Sequence, residues 1–316
     1  MGMPATVFIS NTRPLALLQK RLHKLGTVLC GWEGIRAVDR RGIYPLEDQD
    51  LFPAGSVKLN GMKFINGGDP DEVVAYTTAL VKAGGGSMVG LFTQLLDSRD
   101  GYRFTVEDFQ RHSGGVSGRF GDVCVQVGSA RFMHSLGMDV GKNAKLSQAV
   151  YTAVDGQLVG VFALHYQKAK ATTQGLRTLC SYRGLIPAVM AEDFLLTEEF
   201  LSSRFGVNTK HVRFMKREEY LPLLQRGADQ DDPVVALTTR DNLAAKAFAV
   251  TGARVLKSAL RSGLTVHMIG GILGLLIIGA LAYVGIAGIL TPTNVLLYEL
   301  LWMIPGLLIT EWTRSV

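Results

Sequence analysis

The chain has 316 residues, 47% of them hydrophobic and 19% charged, with a formal net charge of +6. It is apolar for a water-soluble globule and polar for a chain made only of membrane helices, so it predicts a folded body joined to a short membrane segment. The basic surplus is scattered, with no run of five like charges, which argues against a nucleic-acid partner and for a basic face near a membrane. Cys30, Cys124 and Cys180 lie far apart without C-x-x-C spacing and fit buried thiols in a reducing compartment. Met1 to Ser10 lacks the basic start and long apolar core of a cleavable signal.

In chain order, Leu15–Leu25 has apolar residues at helical spacing and stops at Gly26, predicting a basic amphipathic stalk within 1–29. Asp50 to Phe52, running into Pro53-Ala54-Gly55-Ser56, reads as a short strand and a tight turn. Asp71–Lys82 is a helix opened by Pro70 and closed by Gly84-Gly85-Gly86, and Ser87–Leu96 is a second helix. Arg119–Val127 alternates as a strand, and Ala149–Leu164 gives two strands across Asp155-Gly156, a strong hairpin signal. The period then changes: Thr172–Tyr182 helix, Leu185–Met190 strand, Thr197–Arg204 helix, Pro233–Leu237 strand. Strands alternating with helices predict a doubly wound parallel sheet, interrupted by an inserted hairpin-rich module.

From Gly263 to Tyr298 the chain carries no Asp, Glu, Lys or Arg, and Thr291-Pro292-Thr293-Asn294 sits near the middle of the apolar stretch. That length fits two crossings, predicted at about 264–289 and 294–313. Arg254, Lys257 and Arg261 precede the first and Arg314 follows the second, placing both termini and the folded body in the cytoplasm of a multi-pass cell-membrane protein. Gly270, Gly274 and Gly279 would let another helix approach closely. Glu299 has two readings: a carboxylate facing protein or a water-filled path, or one reaching the outer interface.

Several segments together resemble the cytoplasmic and C-terminal part of a P-type cation-transporting ATPase, nearest its heavy-metal branch. Pro14 to Glu33 looks like the stretch leaving the family's fourth core helix. Ser113-Gly114-Gly115-Val116 through Val127-Gly128-Ser129-Ala130-Arg131-Phe132-Met133 looks like the Gly-rich loop and "VGN…LM" segment of its nucleotide-binding domain, and Val154–Gly160 the return strand. Gly184–Asp193 resembles the family's strand ending in T-G-D, and the apolar hairpin follows in order. The resemblance implies an α/β domain of haloacid-dehalogenase type over 30–66 and 159–250, an inserted nucleotide-domain-like module over 67–158, and a membrane segment over 251–316.

The family's chemistry does not carry over with the fold. Its phosphorylated aspartate in F-D-K-T-G-T-L-T falls on Pro53 when that motif is laid on Phe52-Pro53-Ala54-Gly55-Ser56. The T-G-D position reads Ala191-Glu192-Asp193, keeping only Asp193; the D-P-x-R aspartate falls on His165 or Tyr166; the family's S-E-H-P is absent, with Gly85-Gly86-Ser87-Met88 standing nearby; and the glutamate beside the Gly-rich loop is Gln110. The glycine-containing Mg²⁺ loop has no counterpart between Gln230 and Asn242, where Asp232 and Arg240 stand, and Met3-Pro4-Ala5 lacks the metal-binding cysteines. The four scattered histidines His112, His134, His165 and His211 support no metal site.

The expectation is therefore a membrane-anchored, catalytically inactive relative acting as a binding or regulatory subunit. Its partner would be another membrane subunit or a missing N-terminal half, since the chain starts where a fourth helix should finish. One alternative is a working or split cation-transporting ATPase phosphorylated at Asp50 or Asp48, and only with such residual activity are ATP and Mg²⁺ expected as cofactors. The other is a nucleotide sensor using Gly114, Gly115, Gly118 and Gly128, where the plain reading of the same glycines is a turn.

Overall fold

A computed structural model describes residues 6–38, 42–99, 101–140, 148–225, 233–239 and 241–312. Met3-Pro4-Ala5, Gln230, Asp232, Arg240 and Arg314 lie outside them. The chain runs α1 (Thr6–Lys24), β1 (Thr27–Leu29), α2 (Gly31–Ala37), β2 (Gly42–Glu47), α3 (Asp48–Leu51), β3 (Val57–Phe64), α4 (Pro70–Gly84) and α5 (Val89–Asp97). Then come β4 (Glu107–His112), β5 (Gly115–Phe120), β6 (Val123–Gly128), α6 (Ala130–Ser135), β7 (Ala149–Val154) and β8 (Gln157–Tyr166). The last part is α7 (Lys170–Ser181), β9 (Leu185–Met190), α8 (Glu198–Phe205), β10 (Arg213–Phe214), α9 (Arg217–Gln225), β11 (Ala236–Thr238), α10 (Leu243–Val284) and α11 (Pro292–Trp312). The architecture is α/β with one long apolar helix, and it divides into two units, Met1–Arg41 with Asp229–Val316, and Gly42–Ala228.

In the first unit, β1 and β11 form a two-stranded antiparallel ribbon, with Thr27 opposite Thr238. The strand expected over 233–237 thus exists nearby but does not extend a parallel sheet. Gly34 explains part of that choice: a Cβ there would lie 2.2 Å from the Val234 carbonyl, so only glycine lets α2 sit this close to the incoming segment. A core of Leu22, Leu29, Ile35, Ala253 and Leu256 joins α1 to α10, and Gly252 admits Leu18 where a Cβ would come within 2.7 Å of it. Lys257 donates to the carbonyls of Arg36 (2.6 Å) and Val38 (3.1 Å), satisfying the open end of α2. One of the cations assigned above to the membrane surface is therefore also a helix cap.

α10 is a single helix of 42 residues, capped by the Asn242 side chain and ended by Gly285 in the left-handed conformation. At 1.5 Å per residue it is about 63 Å long, so the apolar stretch predicted to open a separate helix at 264 is instead the second half of a longer one. Its first half buries small residues such as Ala244, Ala245, Ala247 and Ala253. Its second half exposes Met268, Ile272, Leu275, Leu276 and Ile277. Among the described residues it is the one helix long and apolar enough to cross a membrane. α11 returns against it: the Tyr298 hydroxyl donates to the Gly270 carbonyl (2.6 Å), and a Cβ on Gly270 would lie 2.6 Å from the Trp302 ring. The helix that approaches Gly270 and Gly274 is therefore this chain's own α11, through Trp302 and Tyr298, while nothing comes within 4 Å of a Cβ on Gly279. A cavity of about 240 Å³ between α10 and α11 is lined by Gly271, Asn294 and the half-buried Glu299, among others.

The second unit holds two sheets. Six antiparallel strands run in the order β3-β8-β7-β6-β5-β4, and three parallel strands in the order β10-β9-β2. Arg119–Val127 is not one strand but parts of β5 and β6, turned at Gly121 with φ +61°. β7 and β8 form the hairpin across Asp155-Gly156, both residues at positive φ as that turn requires. β3 pairs along nearly its whole length with β8. The break between the two sheets falls near 56 and 167, because 57–64 and 157–166 belong to the antiparallel sheet. α4 opens with the Asp69 side chain on the Asp71 amide and Pro70 in its first turn, then ties to the sheet through a 2.6 Å bond between the Thr77 and Thr152 hydroxyls. β2 pairs only with β9 among the described residues, and Pro45 within it suits an edge position, where a missing N–H costs no ladder bond.

Candidate functional site

The segment Phe52-Pro53-Ala54-Gly55-Ser56 is not at the end of a parallel strand. Phe52 is 1% exposed in an aromatic cluster with Tyr166, Phe200 and Phe205. Pro53 to Ser56 form a turn, closed by the Ser56 amide on the Pro53 carbonyl and with Gly55 at φ +80°, that leads into β3. The first parallel strand instead ends at Glu47, so the residue at its carboxyl end is Asp48. This corrects the register that put Pro53 there. The segment 48–51 is also one helical turn rather than a strand, opened by a capping box in which Asp50 accepts from the Glu47 amide (3.1 Å). Asp50 is therefore committed to local structure.

Asp48 is buried, 5% exposed, directly below the loop that follows β9. Its Oδ2 accepts from the amides of Glu192 (2.8 Å) and Asp193 (3.2 Å), while Oδ1 has no hydrogen-bond partner among the described residues. Asp193, 2% exposed, accepts at Oδ2 from the Ser87 hydroxyl (2.6 Å) and the Tyr166 hydroxyl (2.6 Å), and at Oδ1 from the Leu195 amide (2.9 Å). Glu192 meets Arg111 from β4 at 2.5 Å and Arg217 from α9 at 2.6 Å, and accepts from the Tyr220 hydroxyl at 2.6 Å. The Arg204 guanidinium bonds the Tyr166 carbonyl.

Burial is the main reason the Asp48 carboxyl is pushed up to about 7, with the neighbouring Asp193 charge adding to it and the two amides opposing. Burial likewise raises Asp193, opposed by its bonds from Ser87 and Tyr166. The Tyr166 hydroxyl is held well above the usual tyrosine range by burial and then by the Asp193 charge. Two carboxyls in one dry site cannot both ionise cheaply, so near neutrality the pair holds a proton.

The retained motif residue Asp193 thus comes together in space with Ser87, Tyr166 and Glu192, which stand at or near altered motif positions. Asp48 entered the sequence reading only as an alternative phosphorylation site beside Asp50, without its place at the end of a parallel strand. Its signal was present in the paired Asp48-x-Asp50 after an apolar run, but Pro45 interrupts that run.

The Gly-rich positions form a different arrangement. Gly114 turns between β4 and β5 at φ +87°. A Cβ on Gly115 or on Gly128 would each lie 2.3 Å from the Phe132 ring, and one on Gly118 would lie 2.5 Å from Val106. Gly114, Gly115 and Gly128 therefore gather around the buried Phe132, with His112 stacked on its ring at 5.4 Å, and Gly118 packs separately. Side chains, not an open cradle, fill the space these glycines leave. A cleft of about 500 Å³ lies beside them, lined by Ser113, Ser129, Arg131, Thr197 and Ser203 among others. Among the described residues no group of three or more His, Cys, Asp or Glu is placed to hold a metal ion, and the three cysteines are free.

No family model and no curated protein matches the sequence. Among solved structures, the chain is similar to a zinc-transporting PIB-type ATPase in its E2.Pi state, with 11% identity and a TM-score of 0.41 over 99% of this chain and 55% of the transporter. It is also similar to the catalytic domain of the CPx-ATPase CopB-B (17% identity, TM-score 0.38, 66% of this chain and 75% of that one). A third is the N-domain of HMA8, a copper-transporting P-type ATPase (17% identity, TM-score 0.29, 33% of this chain and 97% of that one). These solved neighbours are heavy-metal P-type ATPases or their parts, and the chain spans about half the length of the zinc transporter.

Proposed function

We propose that this chain is a membrane-anchored, catalytically inactive relative of P-type cation-transporting ATPases that works by binding another membrane protein. The observation that carries the reading is Asp48. It stands where a haloacid-dehalogenase-type domain would hold its nucleophile, yet it is sealed from solvent beneath Glu192 and Asp193. Gln49 follows it where the family motif has a lysine, and Asp50 is used as a cap. A buried carboxyl that tends to keep its proton is a poor nucleophile for phosphoryl transfer, which needs an ionised oxygen and clustered positive charge around the phosphates. The chain leaving α9 also leads to β11 on β1, and no fourth parallel strand pairs with β2 among the described residues.

In the same reading, the second half of α10 and α11 form a two-helix membrane hairpin with the folded units on the cytoplasmic side. The exposed Leu275, Leu276, Leu297 and Leu301 support immersion in lipid, and Arg261 and Lys257 before the span support the orientation. Because Tyr298 and Trp302 occupy the Gly270–Gly274 face, the partner would meet these outward leucines or the folded units. Purification from membranes in mild detergent tests this: a membrane protein is expected to co-purify in fixed ratio, with or without ATP. A lone monomer with no companion would remove the binding role.

A further inference from the structure

The cluster around Glu192 and Asp193 does more than satisfy buried charge, because most of its bonds join the parallel sheet to elements outside it. The loop after β9 supplies Glu192 and Asp193, and the end of β2 supplies Asp48. Ser87, Tyr166 and Arg111 come from the turn before α5, the end of β8 and near the end of β4, on the side of the antiparallel layer. Gly86 lies so close that a Cβ there would be 2.9 Å from the Asp193 amide nitrogen, so the two layers are in direct backbone contact.

We propose that Asp48 and Asp193 form a pH-operated latch that holds the antiparallel layer against the loop after β9, closed while the pair keeps one proton and released as that proton is lost. Asp193, with three donors, is the carboxylate of the pair; Asp48, with Oδ1 unmatched, carries the proton. The groups around Asp48 are Asp193 and Glu192 on the loop above it, Tyr166 and Ser87 on the far oxygen of Asp193, and Glu47 and Asp50 flanking it in the chain. Arg111 and Arg217 are both spent on Glu192, and Arg204 on the Tyr166 carbonyl, so none of the three forms an ion pair with Asp48. A second negative charge is then relieved only by admitting water, which requires the layers to part.

The sign follows from the direction of the Asp48 shift. Its carboxyl titrates near 7 when closed and near the ordinary aspartate value of about 4 when exposed to water. The closed form thus binds a proton that the open form releases. Latching is complete below about pH 4 and weakens as pH rises to about 7, beyond which opening levels off.

Hydrogen–deuterium exchange on the full-length protein in detergent, corrected for intrinsic rates, tests the latch at about pH 5 and about pH 7.5. Segments 84–88, 107–112 and 191–196 are expected to lose protection by up to roughly a hundredfold at the higher pH while β7 keeps its own. Asp48→Asn is expected to abolish that difference. Unchanged protection of these segments in the wild type, or an equal loss in β7, would overturn the latch whether or not the variant folds. A pH response that persists in folded Asp48→Asn would overturn the role of Asp48.

Discussion

The loop after β9 buries charge where most globules bury carbon, whereas the second half of α10 exposes carbon where most globules show charge. Asp48 and Asp193 are 5% and 2% exposed, while Leu275 and Leu276 are 62% and 65% exposed. Each inversion needs its own compensation. The carboxyls are matched by backbone amides, two hydroxyls and a held proton, so their burial is a matter of hydrogen-bond bookkeeping. The leucines have no such compensation among the described residues, and in the proposed reading it would come from a different solvent, the bilayer core. In that reading the folded unit is specified from within and the proposed hairpin from without.

The comparison breaks first in the interior. Phe52 packs beside the latch, against Tyr166 and against Phe200 and Phe205 of α8. Phe52→Ala is expected to lower unfolding stability by about 3–5 kcal/mol, read by denaturant titration of the solubilised protein. A loss under about 1 kcal/mol would mean that this aromatic cluster does not hold the site.

On the outer side, Leu276→Arg places a cation in the middle of the exposed apolar run. It is expected to cost about 2.5–3.5 kcal/mol of insertion free energy, seen as a larger fraction released from membranes by alkaline extraction. The folded unit should keep its melting behaviour. Equal membrane retention in the variant and wild type would show that this half of α10 does not sit in lipid.

Much of the fold was readable from pattern alone. Pro70 and the glycines after Lys82 bracket α4, and Asp155-Gly156 marks the β7–β8 hairpin, because turn and cap chemistry is local. Three features were not readable, each for a non-local reason. The pairing of β11 with β1 depends on the close approach at Gly34, more than two hundred residues of sequence away from it. Gly270 and Gly274 announce that a helix comes near, but nothing in a small-residue spacing says that Tyr298 and Trp302 of the same chain are what arrives. Asp48 was legible only as an alternative to Asp50, because Pro45 breaks the strand pattern and Phe52 drew the motif register to Pro53.

That register matters most for the central claim, that the carboxyl at the end of β2 is a structural group and not a phosphoryl acceptor. The direct measurement is incubation of the purified, membrane-extracted protein with radiolabelled ATP and Mg²⁺, an acid quench, and counting of label on the chain. No acid-stable label is expected on the wild type. Label on the wild type that disappears in Asp48→Asn would contradict it and make this chain a phosphorylated pump-type enzyme.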